Sequence, residues 1–416
     1  MSAAENDARP TNSTPVRWLS IVGIGEDGVA GLSAHARGLI ESAELVVGGA
    51  RHLALADAII KGERLAWPTP IEAALPDILR RRGRPVAVIA TGDPFHYGIG
   101  KQLAAIIPPD EFICIPQPSA FALAAARLGW ALQDVALVSL HGRALAGIVR
   151  HLQPGARILA LSWDGETPAK LAALLTERDM GASRLAVLES MGGERERVRH
   201  ARACSFDLSD VAPLNTIAIE VAADAHAKVV PLAAGIDDDL FESDGQLTKR
   251  ELRAIVLSSL APRQGELLWD IGLGAGSVAI EWLLRHPSMR AIGIEADSDR
   301  AGRAARNAEA LGAHDLQIVK GHAPSALAGL PSPDAVFIGG GLGDGCLEAA
   351  WRALKPGGRL VANAVTLEGE QQLLKAFTDH GGELTRIAIE HASPIGTMHA
   401  WRPVLPIVHW RITKPC

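Results

Sequence analysis

The sequence predicts an α/β protein with two domains, the second of which is a doubly wound, Rossmann-like sheet. Its 416 residues are too many for one ordinary hydrophobic core. Short apolar segments alternate with helical stretches along most of the chain, a pattern that favours parallel or mixed sheets covered by helices. Glycine-rich turns follow two of the apolar strand segments, at Gly23–Gly28 and at Gly272–Gly276. Because these turns differ in sequence, they indicate two unrelated domains and no internal repeat.

The composition limits the partners that the chain can have. Apolar residues make up 48% and charged residues 21%, as in ordinary globular proteins. The net charge of −6 provides no basic field for nucleic acid or an anionic membrane, and no apolar run reaches the length of a membrane span. The four cysteines are far apart, which predicts no metal site and fits a reducing cytoplasm. Met1–Pro15 has no apolar signal core and is predicted to be a disordered tail.

The first half is predicted to be a run of strands with helices between them. Ser33 is a candidate N-cap for a helix over Ala34–Ala43, a second helix is expected from about Ile99 to Ile107, and a third starts at Pro118–Ala120. The predicted strands are Val16–Ile24, Leu45–Val47, Pro85–Ala90, Phe112–Ile115, Val135–Leu140, Arg157–Leu161, Arg184–Glu189 and Thr216–Val221.

The alternation breaks after Val221, which indicates a joint between domains. An Ala-rich polar stretch is followed there by a short apolar segment and then by an acidic run that begins at Asp237. Such a run is typical of a solvated surface, so we assign it no catalytic role. The boundary is placed near residues 225–232, which gives a first domain over 16–225 and a second over 232–416.

The second half begins with a helix and continues with the glycine-rich loop. Thr248–Glu251 has the pattern of a capping box before a helical run. A buried strand ends at Trp269, Asp270 follows, and glycines then occupy every second position up to Gly276. This order brings backbone N–H groups and the positive end of a helix beside a bound ligand. Further strands are predicted at Ala291–Ile294, Leu316–Val319, Asp334–Ile338 and Arg359–Ala362.

The spacing D-x-G-x-G-x-G resembles motif I of class I S-adenosylmethionine (SAM) methyltransferases. Glu295 ends the next strand, 25 residues after Asp270, where a carboxylate can accept hydrogen bonds from both ribose hydroxyls of a nucleoside. In that family the segment after the third strand contacts the adenine side. The SAM contacts that follow for the second half are Asp270, Gly272, Gly274, Gly276, Glu295, Gly321, His322 and Ala323.

The first half resembles the tetrapyrrole methylase family, in which SAM lies in a cleft between two α/β lobes. The matching segments are Val22–Gly25, Gly92–Pro94, Gln117–Ala120 and Glu189–Arg195. One segment departs from the family, because Glu26–Gly28 stands where the family commonly continues with P-G-D. The SAM contacts implied by this resemblance are Gly92, Asp93, Gly98, Ser119 and Ala120.

The second half also resembles the decarboxylating precorrin methyltransferases. The matching segments are Leu247–Lys249, Trp269–Gly272, Phe337–Gly340 and Asn363–Glu368. Both modules in one chain imply a bifunctional enzyme of cobalamin synthesis that acts on precorrin-6B and gives precorrin-8X. The first domain would methylate carbon 5, and the second would methylate carbon 15 and remove the ring C acetate carboxylate. The resemblance also implies a homo-oligomer, since relatives of each domain associate.

The substrate implied by this resemblance carries many carboxylates, so cations are expected at the rims of the two crevices. Lys249 and Arg253 are the candidates for the second site, and Lys101 and Arg143 for the first. His322 is a candidate for proton transfer. Transfer of a methyl group from a sulfonium requires no metal.

Three other functions stay open at this point. A glycine-rich loop followed by an acid occurs in NAD-dependent oxidoreductases, although Ser277 stands where their fingerprint needs a third glycine. A methyltransferase acting on nucleic acid or on another small molecule is the second alternative. Against nucleic acid stand the aromatic content of 4%, the negative charge, and Asn363–Thr366 where amino-methylating enzymes carry N-P-P-Y. The third is a scaffold that has lost its site.

Overall fold

The computed structural model describes residues 17–343 and 345–416, so the tail predicted at Met1–Pro15 lies outside the described residues. The chain divides into two compact units. The first runs to Gly142 and resumes over Gly155–Ala225, and the second comprises Arg143–Pro154 and His226–Cys416. A short 3-10 helix over Leu145–His151 belongs with the second unit, where the guanidinium of Arg150 donates to the carbonyl oxygen of Gly312 at 3.1 Å.

The first unit contains two five-stranded sheets. The first sheet has the order β3-β2-β4-β1-β5 and is entirely parallel. The second has the order β6-β7-β10-β8-β9 and is mixed. The strands of the first unit are β1 (Leu19–Ile24), β2 (Leu45–Gly48), β3 (Glu63–Ala66), β4 (Val86–Thr91), β5 (Phe112–Ile115), β6 (Val135–Ser139), β7 (Arg157–Leu161), β8 (Arg184–Glu189), β9 (Arg197–Arg202) and β10 (Asn215–Glu220). Its helices are α1 (Ala34–Ser42), α2 (Ala50–Leu55), α3 (Leu75–Leu79), α4 (Gly100–Ala104), α5 (Ala120–Leu128) and α6 (Thr167–Glu177).

Strand β4 shows why the first sheet is covered on both sides. Successive side chains of a strand point to opposite faces. Val86 and Val88 pack in one hydrophobic cluster, whereas Ala87 and Ile89 pack in another. All four side chains are buried, so helices cover both faces, as in other parallel sheets.

The predictions for the first unit missed two strands, did not locate the helices α2, α3 and α6, and overstated one helix. Strands β3 and β9 are edge strands with exposed, charged sequences. An edge strand exposes polar residues on both faces, so it lacks the apolar pattern that sequence reasoning needs. Helix α4 ends at Ala104 rather than near Ile107, because the N–H groups of Ile106 and Ile107 both turn back to the carbonyl oxygen of Leu103.

The second unit is built on a seven-stranded sheet with the order β13-β12-β11-β14-β15-β19-β16. Its first five members are parallel and β19 runs antiparallel to both neighbours. The strands are β11 (Leu267–Ile271), β12 (Arg290–Glu295), β13 (Gln317–Lys320), β14 (Ala335–Ile338), β15 (Arg359–Ala364), β16 (Glu383–Ile387), a separate hairpin of β17 (Glu390–Ile395) and β18 (Met398–Pro403), and β19 (Ile407–Thr413). The helices are α7 (Arg250–Leu260), α8 (Ser277–Leu284), α9 (Ser298–Leu311), α10 (Cys346–Ala353) and α11 (Leu367–His380).

This architecture confirms the predicted fold class, an α/β chain with a doubly wound second unit. Two local predictions were wrong. Lys249 rather than Thr248 is the N-cap residue of α7, and no side chain caps that helix. Strand β15 continues to Ala364, so Asn363 lies within the strand. The last strand, β19, was not predicted, although it completes the sheet and its Trp410 is fully buried.

Arg253 has a structural role that differs from the predicted one. We expected a cation at the rim of the crevice, but its side chain is fully buried. Its Nε donates to Glu281 on α8 at 2.6 Å, and the guanidinium also bonds the carbonyl oxygens of Thr248 and Ile236. Glu281, itself fully buried, also accepts the N–H groups of Gly235 and Ile236 at 2.8 Å. The pair therefore joins α7, α8 and the loop before them.

We expect Arg253→Met to lower the free energy of unfolding by about 3–5 kcal/mol, because it leaves the buried Glu281 carboxylate without its cation. The matched variant Lys249→Met, whose side chain is 46% exposed, should change it by about 0.5 kcal/mol or less. Denaturant unfolding of both variants measures the difference. Equal stability of the two would contradict a structural role for the pair.

Candidate functional site

A cavity of about 720 Å³ lies at the carboxyl edge of the parallel strands of the second unit. In open α/β sheets this edge is where ligands bind. The predicted residues that line it are Lys249, Asp270, Gly272, Gly274, Glu295, Gly321, His322 and Ala323. Gly276 and Arg253 are not among the lining residues. The structure therefore brings most of the residues predicted for this half to one cavity.

The glycine-rich loop forms the floor of this cavity between β11 and α8. Gly272, Gly274 and Gly276 have φ values of +75°, +56° and +80°, a region that favours glycine. A Cβ atom on Gly272 would lie only 2.9 Å from the backbone nitrogen of Gly340. The loop therefore needs glycine both for its conformation and for the close approach of two backbone segments.

Asp270 lies beneath this loop at the end of β11. Its side chain is 2% exposed, and its Oδ2 accepts the N–H of Ala279 in α8 at 3.0 Å. Burial raises the pKa of Asp270 to about 7, the Glu295 carboxylate acts in the same direction, and the hydrogen bond from Ala279 acts against both. Near neutral pH this carboxyl group therefore exists in both protonation states.

Glu295 ends β12 and fixes the loop from the other side. Its Oε2 accepts the N–H of Gly274 at 2.8 Å, and its Oε1 accepts the N–H of Asp297 at 3.0 Å. Each carboxylate oxygen retains a lone pair for a second donor. Glu295 can therefore accept two hydroxyl groups of a ligand in the cavity while it holds the loop.

The remaining predicted residues of this half differ in their surroundings. The Lys249 ammonium lies 3.7 Å from Asp238 and lines the cavity. His322 is exposed beside the cavity, and its carbonyl oxygen accepts bonds from Ser325 and Ala326. Both side chains can reach a ligand from the rim, whereas Arg253 cannot.

Sequence reasoning found only part of one wall of the cavity, since Asn363–Glu368 was among the matching segments but was not included in the predicted site. This wall consists of Asn363, from the carboxyl end of β15, and apolar residues that flank the last strands: Val365, Val404, Leu405 and Ile407. The segment 404–407 begins 128 residues after Gly276, the last glycine of the loop. No local pattern in the sequence connects it with that loop, because β15 and β19 pair antiparallel only in the folded sheet.

A second, smaller cavity of about 50 Å³ lies in the first unit, between loops that follow strands of its two sheets. Gly92 and Ala120 line it, as the resemblance predicted, together with Glu26 of the altered first loop. Glu26 forms an ion pair with Arg51, which also lines the cavity and donates to Thr91 Oγ1 at 2.8 Å. The altered loop therefore supplies an acid that the sequence analysis had not used.

Three residues predicted for the first site serve local structure instead of lining this cavity. Asp93 Oδ1 accepts the N–H of Phe95 at 2.9 Å, which closes the turn. Ser119 is the N-cap of α5, and its Oγ accepts the N–H of Ala122. A Cβ atom on Gly98 would lie 2.5 Å from the carbonyl oxygen of Pro94. Their contact with a ligand stays a prediction.

One polar atom at the first cavity has no partner. Asn215 lines the cavity at the start of β10 and is 7% exposed. Its Nδ2 donates to the carbonyl oxygens of Asp164 and Ala212, but its buried Oδ1 accepts no hydrogen bond. A buried acceptor without a donor is costly, so an N–H or O–H group placed beside this atom would stabilise the protein.

Two further features bear on function. Within residues 17–343 and 345–416, no helix has the length and apolarity needed to cross a membrane. In the same ranges, no group of three or more His, Cys, Asp or Glu side chains is arranged to hold a metal ion.

The raised pKa of Asp270 predicts a pH dependence of stability. The folded state holds a proton on Asp270 between about pH 4 and pH 7, where the unfolded state has released it. The free energy of unfolding of the ligand-free protein should therefore fall as the pH rises through this window, by a few kcal/mol at most. Asp270→Asn keeps an oxygen for Ala279 and cannot ionise. Thermal unfolding from pH 4 to 8 should show the variant gaining stability over the original protein; parallel curves would contradict the prediction.

Comparison with known proteins identifies both units. The family described as Tetrapyrrole (Corrin/Porphyrin) Methylases matches residues 19–206. The family described as Precorrin methyltransferase domain matches residues 239–414, which includes the C-terminal strands that our resemblance did not cover. These matches confirm the resemblances of the first half to the tetrapyrrole methylases and of the second half to the precorrin methyltransferases.

Curated relatives match almost the whole chain. A precorrin-6Y C(5,15)-methyltransferase (decarboxylating) from Sinorhizobium sp is 55% identical over 97% of this chain and 99% of its own length. A protein of the same name from Mycobacterium tuberculosis is 40% identical over 95% of this chain and 100% of its own length. A probable cobalt-precorrin-6B C(15)-methyltransferase (decarboxylating) from Saccharolobus solfataricus is 36% identical over 42% of this chain and 94% of its own length. The chain therefore belongs to the family of decarboxylating precorrin-6Y C(5,15)-methyltransferases.

Proposed function

We propose that this chain is a bifunctional SAM-dependent methyltransferase of cobalamin synthesis. It methylates precorrin-6B at carbons 5 and 15 and removes the ring C acetate carboxylate to give precorrin-8X. The observation that supports this most strongly is the match over nearly the whole chain to relatives named for both methylations and for decarboxylation. An NAD-dependent oxidoreductase, a nucleic-acid methyltransferase and an inactive scaffold have no comparable support.

The residues of the second cavity fit SAM. When bound, SAM supplies a methyl group on a sulfonium cation, which a nucleophilic carbon can accept without a metal. Glu295 accepts the two ribose hydroxyls, and the turn Gly272–Gly276 lets the ligand lie against bare backbone. Gly321 and Ala323 border the adenine. Asp270 contributes negative charge below the loop once it is ionised, which favours a cationic ligand.

The chemistry on the substrate requires orientation more than it requires an acid or a base. A reduced pyrrolic bridge carbon is nucleophilic like an enamine, so the main contribution of the protein is to hold it in line with the methyl group. Lys249 and His322 stand at the rim of the cavity and can contact carboxylates of the polyanionic substrate. Val404 and Ile407 line the cavity and give the carboxylate that leaves apolar neighbours.

The first unit binds a second SAM beside Gly92 and Ala120 and methylates carbon 5. The unpaired Oδ1 of Asn215 supports a ligand with an amino group at this cavity. The division of work between the units is supported by the relative named for carbon 15 alone, which matches only 42% of this chain. Its name indicates that methylation at carbon 15 and decarboxylation need a single domain. Assembly into a homo-oligomer and a cytoplasmic location stay predictions.

The substitution Gly274→Asn tests the second SAM site. Asparagine tolerates the φ of +56°, and a Cβ atom there meets nothing in the protein closer than 3.8 Å, so the new side chain enters the cavity. We expect the affinity of this site for SAM to fall about a hundred-fold, which corresponds to roughly 3 kcal/mol. Titration calorimetry on the full chain should show one site instead of two.

The control for this variant is Gly265→Asn. Gly265 has a φ of +83° with open space around it, and it is not among the residues that line the cavity. This variant should bind SAM like the original protein. Two unaltered SAM sites in Gly274→Asn would refute the assignment of the motif I loop.

The substitution Ala120→Leu tests the division of work. Leucine fills the cavity of the first unit, so we expect precorrin-6B to gain one methyl group and lose CO₂ but to gain no second methyl group. Gly274→Asn should abolish CO₂ loss and the methylation at carbon 15. Ala126→Leu, at an exposed position of the same helix α5, is the control and should give full product. Mass spectrometry of the tetrapyrrole distinguishes these results; CO₂ loss that depends on Ala120 but not on Gly274 would reverse the assignment of the two units.

A further inference from the structure

A chain of hydrogen bonds connects helix α7 with the second cavity. His409 of β19 lies directly across from Asn363 of β15 in the antiparallel register. The two side chains meet with 2.8 Å between His409 Nδ1 and Asn363 Oδ1. On its other side, His409 Nε2 lies 2.9 Å from the hydroxyl oxygen of Ser259 on α7. His409, the middle member of this chain, is 3% exposed, whereas Ser259 and Asn363 are partly exposed.

The direction of these bonds follows from the chemistry of the groups. We assign the proton to His409 Nδ1, because the Asn363 atom that faces it is the amide oxygen, which only accepts. Burial lowers the pKa of His409 to about 4, with Arg411 as the second cause, so the imidazole is neutral at physiological pH. Its Nε2 then has a free lone pair and accepts the hydroxyl proton of Ser259. Each group thus fixes the orientation of the next.

The consequence for Asn363 is a fixed amide. With Oδ1 held by His409, the Nδ2 amino group lies on the opposite branch of the planar amide. Asn363 lines the cavity, and within residues 17–343 and 345–416 its amino group donates to no other group. The neighbours at this wall, Val365, Val404 and Ile407, are apolar. The wall therefore presents an oriented, neutral donor in apolar surroundings.

The register of the sheet shows which part of the reaction this donor faces. Ile294, Ile271, Ile338 and Ala362 are aligned across four parallel strands. Glu295 and Asn363 are each one residue beyond this line, so they lie at the same level, three strand spacings or about 14 Å apart. With the ribose of SAM at Glu295, Asn363 is at the far side of the cavity, where the methyl acceptor lies.

We propose that Asn363, oriented by His409 and Ser259, binds the acetate carboxylate that the substrate loses in the second unit. This inference rests on the proposed function. A neutral amide orients a carboxylate while stabilising its charge less than a cation does. It can therefore hold the breaking bond against the π system of the macrocycle without opposing decarboxylation.

Decarboxylation requires only a proton from water in addition to the substrate. The bond between the acetate methylene carbon and its carboxylate breaks, and CO₂ leaves. The electron pair moves into the conjugated macrocycle, which is protonated at a pyrrole nitrogen, and the methylene carbon then takes a proton from water to become a methyl group. Asn363 touches the reacting carboxylate, and His409 and Ser259 are positioning residues.

The test is the ratio of CO₂ loss to methyl transfer in the full chain with SAM and precorrin-6B. Asn363→Ala removes the donor and should lower the rate of CO₂ loss about ten-fold. Asn363→Asp keeps an oxygen for His409 but turns a negative oxygen toward the substrate carboxylate, and it should lower that rate a hundred-fold or more. Both variants should bind SAM normally and should accumulate a methylated product that retains the carboxylate.

His409→Phe should lower the rate of CO₂ loss about as much as Asn363→Ala does, because an amide without its histidine partner no longer presents its amino group in one direction. Ser259→Ala should lower this rate by a smaller factor. The charge control is Gln371→Glu, the same change of amide to carboxylate at an exposed position of α11. It should leave the ratio unchanged. A ratio that stays at its original value in both Asn363 variants would overturn the inference. If the original protein itself releases no CO₂ from precorrin-6B, the proposed function fails instead.

Discussion

The carboxyl edge of the second unit depends on the hydrogen bond from the N–H of Ala279 to the buried carboxyl group of Asp270. This bond ties the end of β11 to the first turn of α8, so the glycines between them form a fixed loop. Glu295 holds the same loop from β12 by accepting the N–H of Gly274. Burial raises the pKa of Asp270 to about 7, and the nearby Glu295 carboxylate adds to this effect. The arrangement is least favourable when the cavity holds no positive charge and becomes more favourable when a cation enters.

The sequence predicts this part of the molecule well because its determinants are local. Strand, turn and helix follow one another within Leu267–Leu284, and each element has its own signal. Buried central strands are recognised by continuous apolar runs, as at β4 and β11. Both resemblances rest on such local segments and were confirmed by the family matches. Edge strands such as β9 lack a continuous apolar run because most of their side chains are exposed to solvent.

The acceptor side of the cavity could not be predicted in the same way. Asn363 and His409 are 46 residues apart and become neighbours only through the antiparallel pairing of β15 and β19. Arg253 shows the opposite error, since a cation beside a predicted site was interpreted as a substrate contact. In the structure it neutralises Glu281, and the two charges stay buried because each satisfies the other. Sequence spacing shows that a charge is near a site but not whether another charge already pairs with it.

Two of the cations that line the second cavity lie beside acidic side chains of the same chain. Arg300 lines the cavity but pairs with Asp244 at 3.0 Å, and Lys249 lies 3.7 Å from Asp238. Both cations therefore have acids of the same chain beside them, which weakens their field in the cavity. A strongly cationic pocket would bind the polyanionic substrate tightly but would also stabilise the carboxylate that has to leave. In the proposed function, paired cations at the rim would contact the carboxylates that remain, and the neutral amide at the wall would orient the one that is lost.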